Sequence, residues 1–239
     1  MKAMIFSAGL GTRFKPWTDS HPKALALVNG KSLLQHNIEY LQRYGITDVV
    51  VNVHHFADQL QAALKINNGW GSAVTISDES DAILETGGGL KRAAGFFEHT
   101  KEPFVLMNVD ILTDLDLRLM IQQHLELNPL ASLAVTNRET SRYFLFNEHN
   151  MLCGWRNVKT GEEKISRPCQ QPIQKAFSGI HVIDPRIFSL MKQEGKFSMV
   201  DVYLELAKKQ AIKSFDHNDS NFIDVGKPES ILRAEELFM

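Results

Sequence analysis

Through its first 110 residues the chain alternates short apolar runs with amphipathic stretches, and this alternation limits the fold more than any other feature. Ala3 to Ser7 and Asp48 to Val53 read as buried strands, Ala73 to Ser77 as a third and Phe104 to Met107 as a fourth. Between them, Ser32 to Tyr44 places Leu33, Leu34, Ile38 and Leu41 at helical spacing and closes on Gly45, and Phe56 to Ile66 reads as a second helix. Strands separated by helices of about 10–15 residues form βαβ units, which predicts a parallel sheet with helices on both faces.

The pattern changes after residue 130. Leu130 to Thr136, Arg142 to Phe146 and Leu152 to Trp155 are short strand candidates joined by turns, an antiparallel signature. Lys159 to Gln171 is polar and proline-bearing and reads as an exposed loop. Strand character returns at Ala176 to Ile183, and helices are expected at Pro185 to Lys192, Val200 to Lys209 and Pro228 to Phe238. The expected fold is a Rossmann-like three-layer α/β/α domain with a mixed sheet and a small inserted β-rich lobe. It is read as one domain over residues 1–239, in halves 1–130 and 131–239.

Composition narrows the partners. A net charge of -2 gives no drive toward nucleic acid or an anionic membrane surface. No apolar run approaches the roughly 20 residues that cross a bilayer, and the N-terminus reads straight into a strand without a signal-peptide core. Cys153 and Cys169 fit no metal spacing. The expectation is a cytoplasmic protein, a monomer or weak homo-oligomer, without nucleic-acid or membrane partners.

The first strand runs into Ser7-Ala8-Gly9-Leu10-Gly11-Thr12-Arg13, with Pro22-Lys23 shortly after. In an open α/β sheet ligands bind beyond the carboxyl ends of the strands. Glycines there let backbone N–H groups approach an anion closely, and Arg13 adds a planar donor fork suited to phosphate. The stretch fits neither a Walker A loop nor a dinucleotide fingerprint, whose third glycine is replaced by Phe14. A tight turn with solvated charges would explain the stretch equally if it stood alone.

It does not stand alone. Leu84-Glu85-Thr86-Gly87-Gly88-Gly89 puts three glycines at the entry to a helix expected from Leu90, which suggests flat backbone against a base or sugar rather than a flexible helix entry. Asp110, in Asn108-Val109-Asp110, closes the fourth strand where a carboxylate can hold Mg²⁺ or cap a turn. Asp224 sits in the apolar run Phe222-Ile223-Asp224-Val225-Gly226, where a carboxylate needs a cation, a hydrogen bond or a helix to cap. His54-His55 and Trp155 read as structural, and Asp114-Leu115-Asp116 as capping and surface charge.

With these pieces together the chain resembles the sugar-nucleotide pyrophosphorylases, nucleotidyltransferases whose signature is a strand, Ala-Gly-x-Gly-Thr-Arg, a spacer and Pro-Lys. Val28-Asn29-Gly30-Lys31-Ser32-Leu33-Leu34 is similar to the segment that follows that signature, and Asp224-Val225-Gly226-Lys227-Pro228-Glu229 to the run around the family's second metal aspartate. Leu84 to Gly89, Ala176 to His181 and Ser198 to Tyr203 look most like the N-acetylmuramate-1-phosphate uridylyltransferase branch. Ser7, Trp17, Ala24 and Val109 depart from the usual residues, but none of these changes removes a charged group.

The resemblance implies a nucleoside triphosphate and a sugar 1-phosphate as substrates, an NDP-sugar and pyrophosphate as products, and Mg²⁺ as cofactor. It assigns residues 1–130 to the nucleotide and 131–239 to the sugar. Two anions must meet, and at an effective dielectric near 20 two unit charges about 4 Å apart interact by roughly 4 kcal/mol, so cations and N–H donors are the parts required. The implied roles are Arg13 on the leaving pyrophosphate and Lys23 on the α- or sugar phosphate. Ala8, Gly9, Gly11 and Thr12 would hold the nucleotide, Gly87 and Gly88 face its base, Glu85 and Gly179 lie by the sugar, and Asp110 and Asp224 bind the metal. The branch likeness favours UTP with N-acetylmuramate 1-phosphate; a mannose- or heptose-phosphate guanylyltransferase is the alternative, followed by a non-catalytic nucleotide-sugar binding protein. A glycosyltransferase is a further rival, disfavoured by the position of its only Asp-x-Asp match.

Overall fold

The computed structural model describes residues 1–239. From the N-terminus run β1 (Lys2–Phe6), the short pair β2 (Leu27–Val28) and β3 (Lys31–Ser32), α1 (Leu33–Gln42), β4 (Asp48–Val53), α2 (Ala57–Ile66), β5 (Ala73–Asp78) and α3 (Glu85–Arg92). Next come β6 (Phe104–Asn108), β7 (Ile111–Thr113), α4 (Leu117–Leu127), β8 (Ala131–Thr136), β9 (Arg142–Phe146), β10 (Leu152–Asn157) and β11 (Glu163–Ile165). The chain finishes with β12 (Ile173–Ile183), α5 (Ile187–Leu190), α6 (Met199–Leu206), β13 (Ile212–Asp216), β14 (Phe222–Asp224) and α7 (Ser230–Leu237).

Ten strands form one sheet. Its parallel part is β6-β1-β4-β5, with Met4 opposite Val50 on one side and Leu106 on the other. The long β12 then joins antiparallel to β6 through Ile180–Ile183 and to β8, while its first residues, Ile173 to Lys175, leave to pair with β9. One strand thus belongs to both the main sheet and the β9-β10-β11 lobe.

Alternation along β1 divides the core. Ala3 and Ile5 face a cluster with Leu33, Ile38 and Leu41 of α1, Leu60 of α2, Met120 of α4 and Ala234 of α7. Met4 and Phe6 face a second cluster with Leu90 of α3, Ile187 of α5 and Val202 of α6. These are the two helical layers expected on either side of a parallel sheet. No helix is long and apolar enough to cross a membrane.

The local signals place most elements within a residue or two. Ser32 precedes α1 as its N-cap, its hydroxyl accepting from Gln35 N–H at 3.1 Å. Asp116 caps α4 in the same way, and Asp114 accepts from Asn221 N–H at 2.7 Å, so the Asp-x-Asp run is structural. Three expectations need correction. The loop over 159–171 contains β11, whose three exposed residues pair with β10 and leave no hydrophobic pattern to read. The helix at 185–192 shrinks to the single turn α5. The helix expected from Leu90 begins at Glu85 and contains all three glycines.

Candidate active site

The carboxyl ends of β1, β4 and β6 open onto a cavity of about 400 Å³, lined by the whole stretch from Phe6 to Arg13 together with Lys23, Asn52, Glu79, Glu85, Asn108, Asp110 and Gly226. The opening loop is held from below. Asn52 Oδ1 accepts the N–H groups of Ser7 at 2.7 Å and Ala8 at 3.3 Å. Ala8 therefore turns its N–H toward β4, which leaves Gly9 onward as the loop's free donors.

The two loop glycines differ. Gly11 has φ +60°, and a Cβ built on it would fall 2.8 Å from Thr18 Cγ2 and 3.2 Å from Lys23 Cβ, so the turn itself demands glycine. Gly9 has no atom within 4 Å of its Cβ position, so only the cavity borders it. Buried Phe14 anchors the loop behind the exposed Arg13.

Lys23 and the two aspartates converge from three distant parts of the sequence. Lys23 Nζ lies 2.6 Å from Asp110 Oδ2 in a largely buried pair. Asp224 reaches Asp110 through a two-strand ladder: it pairs with Ile111, and the next residue, Val225, donates its N–H to the Asp110 carbonyl at 2.8 Å. A Cβ on Gly226 would fall 2.7 Å from Asp224 Oδ1 and 3.3 Å from Arg13 Nη2, so Arg13 and Asp224 flank the same glycine.

Asp224 is exposed at the surface, yet protein lies close enough around it to desolvate its carboxyl. That burial and the charge of Asp110 push its carboxyl above the usual range, against the pull of Lys23 and Arg13. Two carboxylates strained by mutual repulsion suit a hard divalent cation. No third His, Cys, Asp or Glu joins them in a cluster, so they would hold such an ion by two carboxylates.

At the other wall, Gly87 and Gly88 are buried inside α3, and their N–H groups both donate to the Phe197 carbonyl, at 2.9 and 3.1 Å. A Cβ on Gly87 would fall 2.4 Å from the Phe197 ring, and one on Gly88 2.3 Å from the Gly195 carbonyl oxygen. The glycines have a packing reason as well: their donors are taken by that carbonyl, and the missing side chains admit the 195–199 segment. Glu85 and Thr86 are the α3 residues on the cavity wall, and Glu85 holds a left-handed φ of +58°. Gly179 sits behind the wall, at a φ of +73° that brings it against Asn108 and Ile111. Asn108 lines the cavity in its place.

Sequence reading passed over Asn52, Glu79 and Asn108 as site residues. Two of them leave a trace: Asn52 is a polar residue one position before the end of β4, and Asn108 ends the otherwise apolar β6.

Residues 2–238 match the nucleotidyl transferase family. The chain belongs to that family. It is 43% identical over 110 residues to an N-acetylmuramate alpha-1-phosphate uridylyltransferase of Caulobacter vibrioides, a match covering 45% of each chain. Over its full length it is 26% identical to a mannose-1-phosphate guanyltransferase of Yarrowia lipolytica, of which it spans 64%. The match thus covers less than two thirds of the length of either relative. Among solved structures, a putative glucose-1-phosphate thymidylyltransferase from Bacillus anthracis superposes with a TM-score of 0.81 at 18% identity, over 99% of this chain and 94% of that one. HddC from Yersinia pseudotuberculosis, complexed with GMP-PN, gives 0.76 at 23% identity, over 100% and 99%. These neighbours share the nucleotide-diphospho-sugar transferase fold, the three-layer mixed-sheet architecture expected from the sequence.

Proposed function

We propose that the protein joins a nucleoside triphosphate to a sugar 1-phosphate, releasing pyrophosphate and an NDP-sugar. The observation that carries this reading is the convergence of Arg13, Lys23 and Asp110 on one glycine-walled cavity at the strand ends, with Asp224 beside its Gly226. No side chain there is arranged as a nucleophile, and none is needed, because a sugar phosphate oxygen is already ionised at neutral pH and attacks the α-phosphorus itself. The protein's part is to bring two anions together and to stabilise the charge that leaves.

Gly9 to Thr12 present backbone N–H groups to the triphosphate. Arg13, exposed at the cavity mouth, takes the departing pyrophosphate with its donor fork. Lys23, which Asp110 and the Phe14 ring hold in place, offers its ammonium to the α- or sugar phosphate. Mg²⁺ on Asp110 and Asp224 would neutralise phosphate charge. Glu85 and Asn108 face the remaining space, where a sugar would lie, with Gly179 supporting Asn108.

UTP with N-acetylmuramate 1-phosphate is the first substrate pair, supported by the 43% match to the Caulobacter protein and by Leu84 to Gly89. GTP with mannose 1-phosphate is the second reading, supported by the full-length match to the Yarrowia protein. The test is pyrophosphate release in Mg²⁺ with the four nucleoside triphosphates crossed against N-acetylmuramate, N-acetylglucosamine, glucose and mannose 1-phosphates. Release that requires one pair names both substrates. Nucleotide binding without release from any pair would sink the catalytic reading.

A further inference from the structure

Beneath the opening loop lies a buried polar contact that none of the roles above uses. Asn52, 3% exposed, is the only residue that bonds both Ser7 and Ala8, through Oδ1. Its Nδ2 donates to Glu79 Oε1 at 2.8 Å, and Glu79 is 1% exposed. His54 Nδ1 bonds the Glu79 carbonyl at 2.6 Å, and Glu79 N–H donates to Val53 at 2.8 Å, so the backbone bearing that carboxylate is pinned on both sides. Room for the pair comes from the third glycine of α3: a Cβ on Gly89 would fall 2.7 Å from Glu79 Oε1 and 3.0 Å from Asn52 Nδ2.

An amide has one acceptor end and one donor end, and its two orientations are nearly equal in shape. Flipped, Asn52 would set its NH₂ against two N–H groups and its oxygen against a carboxylate. Glu79 on one side and the two loop N–H groups on the other both disfavour that flip, and Glu79 is the partner outside the loop. Resting on the function proposed above, we infer that Glu79 and Asn52 are positioning residues for nucleotide binding: Glu79 fixes the Asn52 amide, and Asn52 fixes the start of the loop so that the donors from Gly9 onward face the cavity.

Reversing the polarity of the pair tests this. Asn52→Asp keeps the acceptor for the loop but sets a second carboxylate against Glu79. Adding Glu79→Gln restores a donor between the two side chains. Binding of UTP and of GTP, each with Mg²⁺ and without sugar phosphate, would be measured by calorimetry beside thermal denaturation, on the tighter nucleotide. Asn52→Asp should weaken binding about tenfold, the scale of one misplaced charge-assisted hydrogen bond, and the double variant should recover most of that loss. Binding by Asn52→Asp as tight as wild type, or no recovery in the double variant, overturns the inference. If Asn52→Asp does not fold, Glu79→Leu and Glu79→Gln decide: tighter binding by the glutamine variant supports positioning, and equal losses overturn it. A wild type that binds neither nucleotide removes the proposed function itself, a result distinct from variants that bind equally well.

Discussion

The two walls of the cavity are built on opposite plans. The loop wall works through side chains and free donors: Arg13, Lys23, Asp110 and Asp224 arrive from four segments and set two cations beside two carboxylates. The α3 wall works through missing side chains. Gly87, Gly88 and Gly89 each stand where a methyl group would strike Phe197, Gly195 or Glu79. The first wall carries chemistry at little structural cost, and the second carries structure with little direct chemistry. Glycine means different things on the two sides, since Gly9 borders open space and Gly88 borders a carbonyl oxygen.

The largest effect should come from the loop wall. Arg13→Ala is expected to lower pyrophosphate release about 10³-fold or more, by comparison with arginines that stabilise transferring phosphoryl groups. Because Arg13 is exposed, its loss should leave the unfolding midpoint within about 0.5 kcal/mol of wild type. Full activity in that variant would mean that this wall holds substrate without acting on it. Gly88→Ala should reverse the pattern. It forces a methyl group onto the Gly195 carbonyl and is expected to cost about 1–3 kcal/mol in denaturant unfolding, while molecules that stay folded keep most of their turnover. Turnover lost with stability intact would move Gly88 to the chemical side of the comparison.

On stability, acid should act chiefly through the sheet and helices behind the walls. His181, in contact with Tyr203, is held neutral by burial with a pKa pushed down to about 3. His124 and His217 are pushed down to about 4 by the same cause. In the unfolded chain each titrates near pH 6.5, so the unfolded state binds more protons below that pH and stability falls as pH drops toward 4. At pH 5 the loss is roughly 2 kcal/mol for each histidine. Unfolding midpoints measured from pH 7.5 to 5 should fall, and His181→Gln should flatten the slope. A midpoint that does not move over this range would contradict the buried neutral state.

Much of this was readable in the residues. The βαβ alternation, the Ser32 and Asp116 caps and the placement of Asp110 just past the end of β6 follow from periodicity and residue type. Asp224 was singled out because a carboxylate among Phe222, Ile223 and Val225 needs a reason, and β14 supplies it by pairing with the strand after Asp110. The triple glycine misled because a sequence shows that side chains are absent without showing what fills the space. That depended on the 195–199 segment, more than a hundred residues away. The roles of Asn52 and Glu79 are hidden for the same reason: their meaning is a contact between β4 and the end of β5, with room left by α3.

The packing of α3 also bears on how tolerance to substitution would be read. In a saturation screen scored by survival, Gly87, Gly88 and Gly89 should appear as intolerant as Arg13, although none of the three lines the cavity and the third makes room for Glu79. A map of intolerance would draw one continuous patch from the loop to α3 and suggest a larger ligand footprint than the molecule has. Scoring soluble yield beside turnover would split that patch in two. The glycines would follow yield and the charged residues turnover, so the apparent size of the site would depend on which quantity was counted.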